Sequence, residues 1–223
     1  MITVRRKKKT APLTIGIGLI APAIAMIMAA CGSGDSADEA PIAPVSQEEY
    51  AVYNCVMEKL YQGQGVKMVV IGEETFPVSL TGGDMSTFVE TDGRQQRLWE
   101  VFRKQFHAVD GKVMSDFQRK NREPAILQNE FHPSMECHIF TPQEREEIFS
   151  SPESDGWKAF RDRFPGAKDR LLLSRVGFSK DGAQALVYAA QLWATIDGVG
   201  NVIWLSKKDG KWVVEDMFEC WLS

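Results

Sequence analysis

Histidine is scarce in this chain, with three in 223 residues, and cysteine is little commoner, with four. No two cysteines are spaced as C-x-x-C, which disfavours thioredoxin-type redox chemistry. The sequence has no G-x-S-x-G elbow, no Cys–His signature and no Walker loop. "GIGLIAP" lies in an N-terminal apolar run and "TGGD" does not open a helix, so neither is a dinucleotide fingerprint. Internal repeats are missing too. With 44% hydrophobic and 25% charged residues, 10 Pro and 18 Gly, the composition is that of a globular protein. It excludes disorder, collagen-like repeats and a disulfide-dense scaffold. A net charge of −4 gives no bulk electrostatic case for nucleic acid as a partner. The sharpest absence is local. No Asp or Glu precedes Asp35, while Arg5, Arg6, Lys7, Lys8 and Lys9 stand together near the start.

After that basic cluster the chain carries no charge from Thr10 to Gly34. A basic region, an apolar region and small residues before a break describe an export signal. The run is long enough for a transmembrane span, but it is rich in Ala and Gly and holds Pro12 and Pro22. It ends in Met28-Ala29-Ala30-Cys31, which resembles a bacterial lipobox. Small residues let the chain enter the peptidase groove, and the Cys31 thiol takes the lipid before cleavage frees its amine. The expectation is a signal peptide over 1–30 and a lipid-anchored tether over 31–45, held to the membrane through Cys31. Two or three acyl chains make such an anchor stable, at about 0.8 kcal/mol per buried methylene. Gly32 in place of Asp implies, by likeness to Gram-negative lipoproteins, sorting to the outer membrane facing the periplasm. The Lys run after Arg5-Arg6 does not match a twin-arginine signal, so the general secretory route is expected.

Cleavage before Cys31 removes 30 residues and five basic side chains but no acidic one, leaving 193 residues and a charge of −9. So acidic a protein is repelled by anionic lipid, and the acyl chains must hold it at the membrane. Gly32 to Val45 is small, acidic and Pro-containing and reads as a flexible tether. One domain is expected over 46–223, of class α+β, its N-terminal and central helices packed on a C-terminal antiparallel β-meander.

Local signals place the elements. Ser46-Gln47-Glu48-Glu49 is a capping box, followed by Tyr50, Tyr53, Val56 or Met57, and Leu60 on one helical face up to Gly63. Val66–Ile71 reads as a strand and Gly82-Gly83 as a loop. Asp92 with Gln95 predicts a helix whose buried stripe is Leu98, Trp99, Phe102 and Phe106. Ser115–Gln118 predicts a short capped helix ending before Pro124. Thr141-Pro142-Gln143-Glu144 is the strongest start signal, and Trp157, Phe160 and Phe164 mark a further helix stopped by Pro165-Gly166. Strands are expected over 171–179, 183–194, 201–207 and 211–221, joined through Asp-Gly turns, with the helices covering one face. In the last strand Trp212, Val214, Phe218, Cys220 and Leu222 share a parity expected to face those helices, with a bulge or rim position at Asp216.

The stretches "LSRVGFSKDGAQALVY" and "WLSKKDGKWVVEDMFECWLS" resemble the C-terminal half of a widespread group of small exported bacterial proteins with no assigned function. "VVIGEET", "KNREPAILQNEF" and "GWKAFRDRFPG" are similar to the same group, so the resemblance covers most of 47–223. It implies shared core aromatics, turn glycines and the Ser174–Phe178 strand, and no catalytic signature. Where other members carry a Gly-rich polar loop, this chain has the more apolar Leu192–Ile196.

Among residues that could do chemistry, Cys55, Cys137 and Cys220 remain after lipidation of Cys31, in an oxidising compartment. One disulfide is expected there, with its pairing open. "FHPSMECHIF" holds the densest set of metal-ligand types, His132, Glu136, Cys137 and His138. Cys137 and His138 are adjacent and no second spaced pair completes a zinc pattern, so His132, Cys137 and His138 are weak candidates and no metal or cofactor is expected. Glu73-Glu74 and Glu146-Glu147 are paired carboxylates of a kind that serves acid–base work only when buried together, whereas adjacent residues point apart. Alternation reads Arg175, beside Ser174, as an exposed strand charge. No catalytic residue is singled out. The expectation is a lipid-anchored cell-envelope protein acting as a non-enzymatic binding or structural module, with an envelope protein as a candidate partner. The alternatives are a small pocketed enzyme or ligand carrier of the periplasm, and an inhibitor or immunity-type partner of an envelope enzyme.

Overall fold

A computed structural model describes residues 43–78, 88–91, 94–97, 104–150, 155–194 and 197–222. The expected signal peptide, Cys31 and most of the expected tether lie outside them. In chain order the elements are α1 (Gln47–Tyr61), β1 (Met68–Gly72), β2 (Phe88–Thr91), β3 (Arg94–Arg97), α2 (Gly111–Lys120), β4 (Glu136–Phe140), α3 (Pro142–Phe149) and α4 (Gly156–Arg163). The strands β5 (Arg170–Leu173), β6 (Gly177–Phe178), β7 (Gln184–Leu192), β8 (Gly198–Lys208) and β9 (Lys211–Leu222) complete the fold. The expected α+β class and C-terminal meander are what the chain adopts. The seven-stranded sheet runs β4-β1-β5-β7-β8-β9, with β6 also on β7. It is larger than the meander alone, because β1 lies parallel to both β4 and β5.

Both strong capping boxes form. Ser46 Oγ accepts from the Glu49 amide and Glu49 Oε2 accepts from the Ser46 amide at 2.9 Å. Thr141 and Glu144 do the same at the start of α3, with Pro142 at its first position. Two other expectations change. No helix forms at 94–97, because Thr91 pairs with Arg94 and β2 and β3 run antiparallel, while Asp92 and Gly93 lie outside the described residues. Asp-Gly between extended residues is a hairpin signal, and it overrides the capping pattern. Leu98, Trp99, Phe102 and the Gly82-Gly83 loop lie outside the described residues. The next helix starts earlier than Ser115. Asp110 caps it by accepting from the Lys112 amide at 2.9 Å, and Val113 and Phe117 then fall one turn apart on its buried face.

Helices cover both faces of the sheet, not one. On one side α1 places Tyr50, Tyr53, Val56, Met57 and Leu60 against Ile71, Leu171, Leu173, Val187 and Ile203. On the other, Phe106, Val113 and Phe117 pack on Leu186, Tyr188, Val202, Phe218 and Cys220. A third cluster joins Val70 and Phe140 to Ile148, Phe160 and Phe164 of α3 and α4. The alternation of β7 feeds two cores, so its run of buried residues is nearly continuous. In β9 the parity changes. Leu205 pairs with Val214 but Trp204 with Asp216, so Glu215 is an extra residue, and Cys220 is another between Glu219 and Trp221. Such bulges turn the strand over. Trp212 therefore joins the α1 core while Phe218 and Cys220 join the opposite one, and Leu222 is exposed. The bulge expected near Asp216 is present; the single buried parity is not.

Candidate functional site

Arg175 is buried, with 1% of its surface exposed, which corrects its reading as an exposed strand charge. The reason is another bulge. Leu173 pairs with Ala189 but Gly177 with Leu186, so Ser174, Arg175 and Val176 span one position more than β7 offers. This turns Arg175 towards α1, where its Nε and Nη2 donate to Glu49 at 2.8 and 3.0 Å. Its Nη1 and Nη2 also donate to the Ala43 and Pro44 carbonyls at 3.0 and 3.3 Å. Asn121 accepts from the Arg175 amide and donates to its carbonyl, and Glu49 accepts from the Val176 amide at 3.2 Å. Tyr53 donates to the Ser174 carbonyl at 2.9 Å. Burial alone would raise the Glu49 pKa, but Arg175, Lys120 and the Ser46 amide hold it below the usual range. This cluster has every charge paired and little room for a ligand. Its chemistry is structural.

The three weak metal candidates do not converge. Alternation along β4 sends Cys137 to the α1 core, while the His138 ring sits 4.8 Å from that of Phe164 and meets Glu144 at 3.0 Å. His132 is exposed, its amide tied to Asn54. Among the described residues no three His, Cys, Asp or Glu side chains gather as a metal site. The expected disulfide does not form, since Cys55, Cys137 and Cys220 are all free. Cys137 and Cys220 lie on opposite faces of the sheet, and the Cys55 thiol donates to the Trp212 carbonyl. Burial pushes the thiols up, to about 11 for Cys137 and about 12 for Cys220, which keeps them protonated and poorly nucleophilic.

The arrangement with room for chemistry lies elsewhere, at the carboxyl ends of the parallel strands β1 and β4. A cavity of about 370 Å³ opens there, within the range of small-molecule sites. Ligands of open sheets favour this end of parallel strands. Arg170 and Arg145 line it, with Glu73 and Glu74, and Phe76, Phe140 and Leu172 supply apolar wall. Its frame is well held. Val70 pairs with Arg170 across the β1–β5 ladder, so Arg170 shares a face with Val70 and Leu172, away from α1. Glu73 is fixed by its amide to the Phe140 carbonyl and by its carbonyl to the Leu127 amide, at 3.2 and 2.7 Å. Thr75 exchanges backbone and side-chain bonds with Ala125, and the Phe76 amide donates to Leu173 at 2.8 Å.

Among the described residues, nothing satisfies the charges around this cavity. Arg170 Nε is buried without a hydrogen-bond partner, and the guanidinium lies 5.8 Å over the Phe140 ring. Burial, with Arg145 nearby, lowers the Arg170 pKa from its usual value. Glu144, next to Arg145 in sequence, is already engaged by Thr141 and His138. Among the described residues, Arg145, Arg170, Glu73 and Glu74 form no ion pair and no side-chain hydrogen bond. Glu73 is half-buried and Glu74 exposed, so they are not buried together, yet both line the same cavity. Searches against family signatures, curated proteins and solved structures find no match.

Neither arginine carries a spacing motif that singles it out. The available signal is Arg170 at the head of an otherwise leucine strand, "RLLL", on the same parity as Leu172. A second buried acid, Asp169, is occupied in a different way. It accepts from Tyr61 at 2.5 Å and from Gln191 at 2.9 Å, tying α1 to β7. Burial raises its pKa despite those donors. Among the described residues no helix is long and apolar enough to cross a membrane.

Proposed function

We propose that this chain is a lipid-anchored cell-envelope protein that acts as a non-enzymatic binding module, taking a small polar molecule in the cavity at the ends of β1 and β4. One observation carries the reading: a preformed, open cavity lined by guanidiniums, one of them with a buried donor left unpaired. A buried unpaired donor costs roughly 1–3 kcal/mol, and the guanidinium group that carries it belongs to a residue lining the cavity, where an anionic group finds a cationic partner. The lipobox-like Met28–Cys31 and the acidic tether support anchoring through Cys31, with the domain held off the membrane on the periplasmic side.

Two measurements test this. A thermal-shift screen of small anions, zwitterions and neutral solutes compares the full-length protein with Arg170→Met. A solute that raises the Tm of the native protein and not of the variant supports the module; a screen in which none separates the two sinks it. Palmitate labelling is expected to disappear in Cys31→Ser, and labelling that persists would overturn the anchor.

A further inference from the structure

We propose that the cavity takes an α-amino acid with an apolar side chain, bound as its zwitterion. This rests on the binding-module reading and adds the class of occupant. Unlike charges that line one cavity ordinarily collapse onto each other. Here Arg145 and Arg170 do not pair with Glu73 or Glu74, and each is carried on a separately fixed piece of backbone. Arg170 is set by the β1–β5 ladder and the Phe140 ring, and Arg145 by the first turn of α3. Glu73 is set by backbone bonds to Phe140 and Leu127. The cavity is therefore lined by unpaired charges of both signs, with Phe76, Phe140 and Leu172 as apolar wall.

That division excludes simpler occupants. A phosphate or a dicarboxylate meets the guanidiniums but also the two unpaired carboxylates, and like charges repel in a partly desolvated site. An organic cation meets the reverse conflict. A neutral apolar molecule offers no partner to the charged side chains that line the cavity. An α-amino acid presents a carboxylate, an ammonium and one side chain from a single carbon, and so offers a partner to each kind of lining group. Guanidinium is the fork that matches a carboxylate, and an ammonium needs only a facing carboxylate oxygen.

Isothermal titration of the full-length protein in detergent, with five probes, tests the assignment. The probes are L-phenylalanine, L-leucine, 3-phenylpropanoate, phenethylamine and inorganic phosphate. The two amino acids are expected to bind, with 3-phenylpropanoate and phenethylamine each at least about tenfold weaker and phosphate not detected. Arg170→Met and Glu73→Gln should each weaken phenylalanine by about tenfold or more, while unfolding at the native temperature shows that they are folded. If 3-phenylpropanoate or phosphate binds as well as phenylalanine, the site reads an anion alone; the amino-acid assignment falls and the binding module stands. Phenylalanine binding that is unchanged in both variants lies elsewhere and overturns the assignment. Binding of none of the five overturns it also, and the wider thermal-shift screen then decides the module reading on its own.

Discussion

Arg170 and Arg175 stand in the same short stretch of chain, and the fold treats them in opposite ways. Arg175 is fully enclosed, yet every donor it offers within reach of α1 meets an acceptor: Glu49 twice and two carbonyls of the chain leading into the helix. Arg170 is less enclosed, yet its Nε has no acceptor. Burial by itself therefore does not decide whether a charge is paired. What separates them is whether the protein supplies the counter-charge. The first arginine completes the fold, and the second keeps a buried donor that the described residues do not satisfy.

The comparison breaks most readily at Arg175. Arg175→Met leaves Glu49 buried without its partner and should destabilise the protein by about 3–5 kcal/mol in urea unfolding. A loss under about 1 kcal/mol would show that the pair is dispensable. Adding Glu49→Leu to that variant should recover part of the loss and not all of it, because the Val176 and Ser46 amides still lose their acceptor. The double variant's position between the other two in urea midpoint checks this.

A smaller effect is expected with pH. The Glu49 carboxyl is held below its unfolded value, so its stabilisation is fully present above the ordinary carboxylate pKa. It is lost as pH falls through the lowered one. The stability gap between the native protein and the Arg175→Met, Glu49→Leu double variant should therefore be constant near neutrality and shrink in acid. Asp169 runs the other way. Its raised pKa makes its contribution largest in acid and lost as pH rises, so Asp169→Asn should gain on the native protein towards neutral pH. Smallest of all is the stability effect at Arg170. Arg170→Met exchanges an unpaired buried donor and a contact with Phe140 for a thioether, and should leave unfolding within about 1 kcal/mol of native. A loss as large as that at Arg175 would make both arginines structural and erase the distinction.

How much of this could be read from residues alone depended on the range over which each signal acts. The capping boxes at Ser46 and Thr141, the aromatic stripe of α4 and the strands around Asp209-Gly210 are set within a few residues, and they stand where the pattern puts them. The helix start expected at Asp92 gives way because two local signals overlap there, and 94–97 pair as a strand instead. Arg175 and the far half of β9 were misassigned for a shared reason. Alternation assigns faces correctly only along an unbroken ladder, and one extra residue reverses everything beyond it. The cavity was invisible for a different reason. Glu73, Arg145 and Arg170 meet only because the chain crosses from β1 to β4 and from β4 to β5, so no spacing along the sequence encodes their proximity.

The bonds from Arg175 to Ala43 and Pro44 also define a mechanical route. Anything that pulls on the segment preceding α1 pulls first on two carbonyls held by a guanidinium. That guanidinium belongs to the link between β5 and β6, both of which pair with β7, and β7 is an interior strand and not an edge. Tension entering there loads the interior of the sheet in parallel with the Glu49 pair, and cannot peel the domain open one strand at a time. A protein hung from one end of its chain would thereby be gripped at its centre.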